Sequence, residues 1–313
     1  MLTARHFAED EACRSPSKHF VPVAYKRRAW CTKKSSRKAE RPTKMKRQSK
    51  GLAVITGASS GIGAVYADRL AHRGYDLLLV ARSQAAMADL AKKLERDTGS
   101  KVDILAADLT DSTDVAEVER ILREDSRVTL LVNNAGAGAT APLVDSDISD
   151  MTRMIALNVE AVTRLTYAVV PGFVTRGAGV IINAASIVAI APERLNGVYG
   201  GTKAFVLAFS QSLRHELAGT GVRVQVVLPG ATATDFWRIA GKPLENLPQE
   251  IVMSAEDMVD ASFAGFDQGE FVTIPALPDA GQWESYEAAR QAMMPGLSRA
   301  KPARRYSGVS SAA

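Results

Sequence analysis

Between Gly51 and about Gly269, short apolar runs alternate with stretches whose apolar residues recur at helical spacing. Leu52-Ala53-Val54-Ile55 reads as a buried strand, and Ala64 to His72 as the helix after it, with Gly74 as its stop signal. Further strand-length runs are Asp76 to Val80, Val102 to Ala107, Val128 to Val132 and Val180 to Ala185. This unbroken alternation predicts an α/β fold, a single doubly wound parallel sheet with helices on both faces. Near the end, Ser254-Ala255-Glu256-Asp257 predicts a helix start capped by Ser254, and Phe271 to Ile274 a last strand. Trp283 to Met294 predicts one more helix, Pro302 to Ala313 a loose tail, and no internal repeat is present.

The first strand runs straight into Thr56-Gly57-Ala58-Ser59-Ser60-Gly61-Ile62-Gly63. Strand, glycine turn and helix form the context that a dinucleotide fingerprint requires. Gly57 permits a tight turn, Gly61 a close approach of pyrophosphate, and Gly63 close packing of helix on strand. The amides at the helix start, with the positive end of its dipole, suit a phosphate. After the second strand, an acidic residue would hold the ribose hydroxyl of NAD, but Ala81 and Arg82 stand there. A guanidinium in that place can fork onto a 2′-phosphate, which predicts NADP(H) over NAD(H).

Tyr199-Gly200-Gly201-Thr202-Lys203 places a phenol and an ammonium four residues apart, on one face of a helix. A nearby cation favours phenolate, so Lys203 is expected to lower the pKa of Tyr199 from about 10 toward working pH. A tyrosine so tuned can pass a proton to or from a substrate oxygen.

With these motifs the chain resembles the short-chain dehydrogenase/reductase family over residues 50 to about 275. Thr56 to Gly63 is similar to its TGxxxGxG turn, Asn133-Asn134-Ala135-Gly136 to its NNAG motif, and Tyr199 with Lys203 to YxxxK. Asp108 matches the acid that contacts adenine. Pro229-Gly230 with Thr232 and Thr234 resembles the PGxxxT segment that closes over the nicotinamide. The resemblance implies a Rossmann-type fold and a catalytic set of Asn158, Ser186, Tyr199 and Lys203. It implies cofactor contacts at Thr56, Gly57, Ser59, Ser60, Gly61, Ile62, Gly63, Arg82, Asp108, Leu109, Asn134, Ala135 and Gly136. Tyr199, Lys203, Pro229, Gly230, Thr232 and Thr234 complete them. Two features depart from the pattern. Gly200 and Gly201 lie inside YxxxK, each costing its helix up to about 1 kcal/mol relative to alanine. Ser60 stands where many NADP-preferring relatives carry a basic residue, so that preference rests on Arg82.

The implied reaction moves a hydride between the nicotinamide of NADPH and a carbonyl or secondary alcohol, reduction being the expected direction. Tyr199 is the expected proton donor, Ser186 holds the carbonyl, Lys203 holds the nicotinamide ribose, and Asn158 positions a water. Ile187 to Ile190 is apolar, and 231–250 falls where the family carries its substrate lid, with Phe236, Trp237 and Ile239. An apolar ketone, aldehyde or alcohol follows. Glu193, Arg194 and Asn196 are candidates for polar selectivity. Family members commonly pair into dimers or tetramers through the helices carrying Asn158 and Tyr199, so a homo-oligomer is expected.

Charge divides the chain unevenly. Residues 1–50 carry 15 basic and 4 acidic residues, +11; the rest carry 24 and 30, −6. The basic balance therefore belongs to residues 1–49, which read as a disordered leader, and nucleic acid is not an expected partner. Three readings of that leader stand: a translated upstream stretch with Met45 as the start, a transit peptide, or a basic arm. Residues 50–275 form the predicted oxidoreductase domain, 231–250 its lid, and 276–313 a helix and tail. Both cysteines, Cys13 and Cys31, lie in the leader, and the four histidines lack ligand spacing, so neither disulfide nor metal is expected in the domain. No stretch is long and apolar enough to span a membrane, and a cytoplasmic enzyme is the expectation. The alternative is a non-catalytic NADP-binding regulator that works through its basic leader.

Overall fold

The computed structural model describes residues 48–306. Seven strands form one sheet: β1 (Leu52–Thr56), β2 (Asp76–Ala81), β3 (Val102–Ala106), β4 (Val128–Asn133), β5 (Gly179–Ala184), β6 (Val222–Val227) and β7 (Val272–Thr273). They lie in the order β3-β2-β1-β4-β5-β6-β7 and pair in parallel throughout. Strand order reverses between β1 and β4, which opens a crevice at the carboxyl ends of these strands.

The helices are α1 (Gly61–His72), α2 (Gln84–Thr98), α3 (Ser112–Glu124), α4 (Ile148–Ile155), α5 (Val162–Arg176), α6 (Gly197–Glu216), α7 (Phe236–Ile239), α8 (Ala255–Gln268) and α9 (Ala280–Ala292). They cover both faces of the sheet, which is why its central strands are apolar at successive positions. Ala53, Ile55, Leu77 and Leu79 pack with Tyr66, Leu70 and Phe263 of α1 and α8. Leu52, Val54, Leu78 and Val80 point the other way, onto Val118, Leu165 and Phe173 of α3 and α5. Truncating Phe173, which is fully buried, to alanine is expected to cost about 3–5 kcal/mol.

A buried polar chain crosses this core. The Asn133 amide donates to Thr166 Oγ1 at 3.2 Å and to Asn183 Oδ1 at 2.9 Å, and Asn183 donates to Ser210 Oγ at 2.9 Å. It ties β4 and β5 to α5 and α6, although the Asn133 carboxamide oxygen itself is buried without a partner among the described residues.

Four local features differ from, or add to, the expectation. The first helix begins at Gly61, not Ala64, and the last strand is the pair Val272–Thr273. A wide π-helical turn, Ala156–Ala161, joins α4 to α5 and carries Asn158. Arg304–Tyr306 forms a tight turn within the tail expected to be loose. Residues 1–47 of the expected leader, Met45 included, and residues 307–313 lie outside the described residues.

Candidate active site

The glycine turn leaves β1 at the crevice. Gly57 and Gly61 have φ of 67° and 52°, a region that side chains disfavour. A Cβ at Gly63 would collide with the Gly57 carbonyl, and one at Gly61 would stand 2.9 Å from Thr234 Cγ2. Ser60 occupies the cap position of α1 without a side-chain cap hydrogen bond. By contrast Ser83, Asp111, Asp147, Asn196, Ser254 and Asp279 cap α2, α3, α4, α6, α8 and α9 with their side chains. The amides that start α1 thus meet a glycine cradle with no acid in the first turn, which fits an anion such as a pyrophosphate.

The neighbouring residues divide between holding the cradle and facing out of it. Thr56 is buried; its hydroxyl donates to Val132 O and accepts from the amides of Asn134 and Ala135, both at 3.0 Å. The Asn134 amide donates to Thr56 O at 3.0 Å. Both therefore clasp β1 to β4, and Ser59 and Ser60 are the hydroxyls left at the turn. Leu109 is buried in the core on the α3 side, so only its backbone is offered to a ligand. Ile62 packs partly into the core on the α1 side. Arg82, just past β2, is exposed and makes no ion pair among the described residues. Asp108 is held below the usual carboxylate range by the Thr110 amide and hydroxyl, then by the charge of Arg82. Pro229 and Thr232 are buried, while Gly230 and Thr234 are partly open beside the cradle.

Asn158, Ser186, Tyr199 and Lys203 are all buried at the carboxyl end of the sheet. Tyr199 and Lys203 lie in the first two turns of α6, and Ser186 directly follows β5. The Tyr199 phenol is buried beside the Ser186 hydroxyl and packs with Met151, Met154, Val188 and Phe236. Ser186 Oγ also accepts from Val188 N at 3.3 Å and donates to Pro229 O at 3.4 Å. Lys203 Nζ donates to Ala184 O at 2.9 Å.

The electrostatics correct one expectation. Burial pushes the Tyr199 phenol up to about 12, opposed by the Ser186 hydroxyl, and pushes the Lys203 ammonium down to about 8. Burial, not Lys203, dominates at Tyr199, and the phenol moves up rather than down. The protein holds a protonated phenol beside an amine that titrates near neutral pH.

Asn158 has its side chain engaged by neighbouring protein groups. Its Oδ1 accepts from Ala137 N at 2.9 Å, and its Nδ2 donates to Ala137 O at 2.8 Å and Thr202 Oγ1 at 3.0 Å. The carboxamide is committed to backbone and Thr202, so any water it positions is held by other atoms. A Cβ at Gly136 would lie 3.2 Å from Asn158 Oδ1 and 3.4 Å from Lys203 Nζ, so both groups crowd the floor loop.

The expected lid, 231–250, contains α7 and two tight turns, Leu244–Asn246 and Gln249–Ile251. Trp237 is buried and donates from Nε1 to Thr232 O at 3.0 Å, while Phe236 seats its ring where a Cβ at Gly138 would stand. Thr140 Oγ1 donates to Ala240 O at 2.8 Å, latching the lid to the loop after β4. Ile239 is exposed. Within YxxxK, Gly200 is pressed against Pro192, where a Cβ would sit at 3.0 Å, while Gly201 faces open space. Thr140, Thr202 and Asn196 carry structural weight that the motifs do not contain. Only Asn196 had a local signal, as an asparagine just before a helix. Its side chain caps α6 and does not face a substrate, as polar selectivity would need.

The family model described as short chain dehydrogenase matches residues 51–243. A short-chain dehydrogenase from Sphingobium yanoikuyae, solved in complex with NADPH, is 47% identical with a TM-score of 0.80. The match covers 82% of this chain and 99% of that one. The bulky-bulky ketone specific alcohol dehydrogenase from Comamonas testosteroni is 44% identical, with a TM-score of 0.76, over 83% of this chain and 99% of its own. The very-long-chain 3-oxoacyl-CoA reductase-A of Danio rerio is 35% identical over 208 residues, 65% of each chain.

Proposed function

The chain belongs to the short-chain dehydrogenase family, and from that premise we propose that this oxidoreductase reduces bulky apolar ketones with NADPH. The observation that carries the reading is the Tyr199 phenol, protonated and buried beside Ser186 in a box of Met151, Met154, Val188 and Phe236. Such a box favours an apolar substrate with a single polar anchor at its carbonyl. The Comamonas testosteroni enzyme named for bulky ketones supports the same class.

Bound at the cradle, a nicotinamide cofactor supplies the hydride. The chain's own residues manage the oxygen. Tyr199 donates its proton to the ketone oxygen as negative charge develops there. Ser186, loosely bonded to Val188 and Pro229, turns its hydroxyl to the same oxygen. Lys203 relays the replacement proton, since its amine gains and loses one near neutral pH. Asn158 holds the backbone of Ala137 and so fixes the wall of the box.

The preference for NADPH rests on Arg82, exposed just past β2 and without an ion pair among the described residues, with Asp108 nearby. The Sphingobium yanoikuyae relative solved with NADPH is consistent with it. Self-association is proposed through the helices carrying Asn158 and Tyr199, where the exposed Ile155 lines a hollow of about 360 Å³ with Val159, Val198, Gly201 and Thr202. Light scattering of the purified chain tests this. Among the described residues no helix is long and apolar enough to cross a membrane.

The test is NADPH consumption against a panel of ketones flanked by two bulky groups, small polar aldehydes and secondary alcohols with NADP. Turnover confined to small polar aldehydes would overturn the substrate class. No turnover with any of them would favour a non-catalytic NADP-binding protein.

A further inference from the structure

Asn196 is buried, yet it lies outside the catalytic set and every one of its side-chain hydrogen-bonding positions is engaged. Its Oδ1 accepts from Val198 N at 2.9 Å and Tyr199 N at 3.4 Å. Its Nδ2 donates to Ala141 O at 2.7 Å and Ser146 Oγ at 3.1 Å. The two ends are unambiguous, because backbone amides only donate and a carbonyl only accepts. One half of the group thus caps the helix that carries Tyr199 and Lys203. The other half grips the loop after β4. Its own amide adds a bond to Ala139 O at 3.4 Å.

That loop is the wall of the proposed substrate box. Ala137 and Ala139 pack against the cluster around Tyr199. Thr140 holds the loop to the lid at Ala240, and Asn158 holds it to the floor at Ala137. Asn196 supplies the remaining tie, between the loop and the helix of the proton donor. Among the described residues no other side chain of that helix's first turn hydrogen-bonds to the Ala141–Ser146 stretch, and Leu143 and Val144 beside it are exposed.

We propose that Asn196 is a positioning residue, which locks the loop 137–146 to the start of α6 so that the wall of the box and Tyr199 keep one geometry. The proposal rests on the ketone-reductase reading for its kinetic consequence and on the four hydrogen bonds alone for its structural one. The two halves of the carboxamide have separable effects. The acceptor half sets where α6 begins; the donor half sets where the loop stands against it.

The test separates them with Asn196→Asp and Asn196→Ala. An aspartate still accepts from Val198 and Tyr199, and its charge suits the start of a helix. It cannot donate to Ala141 O, and two oxygens then oppose each other. The Asp variant is expected to melt a few degrees lower and keep its NADPH affinity, while the ketone KM rises about tenfold, more than kcat falls. Ser146→Ala, which removes one of the two loop partners, should move KM in the same direction by less. The Ala variant should also lose kcat, because the helix start is uncapped. Hydrogen exchange at the amides of 141–146 reads the tie without turnover, and should quicken in the Asp variant. An Asp variant with wild-type KM and wild-type exchange would overturn the proposal. A wild-type protein that reduces no ketone would instead overturn the reductase reading, and faster loop exchange in the Asp variant would still bear out the tie.

Discussion

Phe236 and Tyr199 stand with ring centroids 5.6 Å apart and planes inclined at 44°. This places the Phe236 ring beside the proposed proton donor, and it is possible only because residue 138 lacks a side chain. Gly138→Ala should therefore push Phe236 away from Tyr199. The expected result is a weaker KM for bulky ketones, by about tenfold, with NADPH affinity unchanged. In a Phe236→Ala background the same change should cost little, because the atoms it strikes are gone. Equal effects in both backgrounds would remove the lock.

Tyr199→Phe removes the only hydroxyl proposed to donate the proton. Its kcat is expected to fall by about 10²–10⁴-fold. Cofactor affinity should hold, since the ring remains to pack against Phe236. The check is steady-state kinetics together with NADPH fluorescence titration. Retained turnover with intact binding would sink the assignment.

Lys203 makes stability depend on pH. Its amine is pushed down to about 8 by burial, from an ordinary 10.5. Below 8 both folded and unfolded chains carry the proton, and the full penalty of a buried ammonium is present. Between 8 and 10.5 the unfolded chain binds more protons than the folded one, so this penalty is relieved as pH rises. The melting temperature of wild type relative to Lys203→Met should therefore climb across that window and level off on either side. A difference independent of pH would mean that Lys203 titrates alike in both states.

Arg82→Ala should weaken NADPH by about ten- to a hundredfold, the worth of one or two charge-assisted hydrogen bonds, and leave NADH nearly unchanged. Binding titrations with both cofactors decide it. Parallel losses for both would place Arg82 outside the 2′-phosphate site.

The sheet was legible because its strands are buried on both faces. Leu52 to Ile55 and Leu77 to Val80 alternate between two cores, so every position is apolar and the run stands out. The glycine turn was legible for a similar reason: Gly57 and Gly63 are demanded by backbone geometry, and that demand is local. The states of Tyr199 and Lys203 were not. Spacing along a helix gives their proximity, but burial sets their protonation, and for Tyr199 it comes from Met151, Val188 and Phe236 of other segments. Nor was the role of Asn158, whose partners Ala137 and Thr202 come from two other parts of the chain. Thr140 carries no signal at all; its partner is 100 residues away.

The wide turn at Ala156–Ala161 gives its rod one residue more than a regular path requires. An extra residue rotates everything before it by on the order of 100° relative to everything after. Upstream, Met151 and Met154 are thereby aimed at Tyr199, while downstream Leu165, Val169 and Phe173 are aimed at the sheet. Deleting a single position here would leave the chain helical but swing the methionines off the tyrosine. One inserted residue thus lets a continuous helix serve two masters, the interior at one end and the reaction chamber at the other.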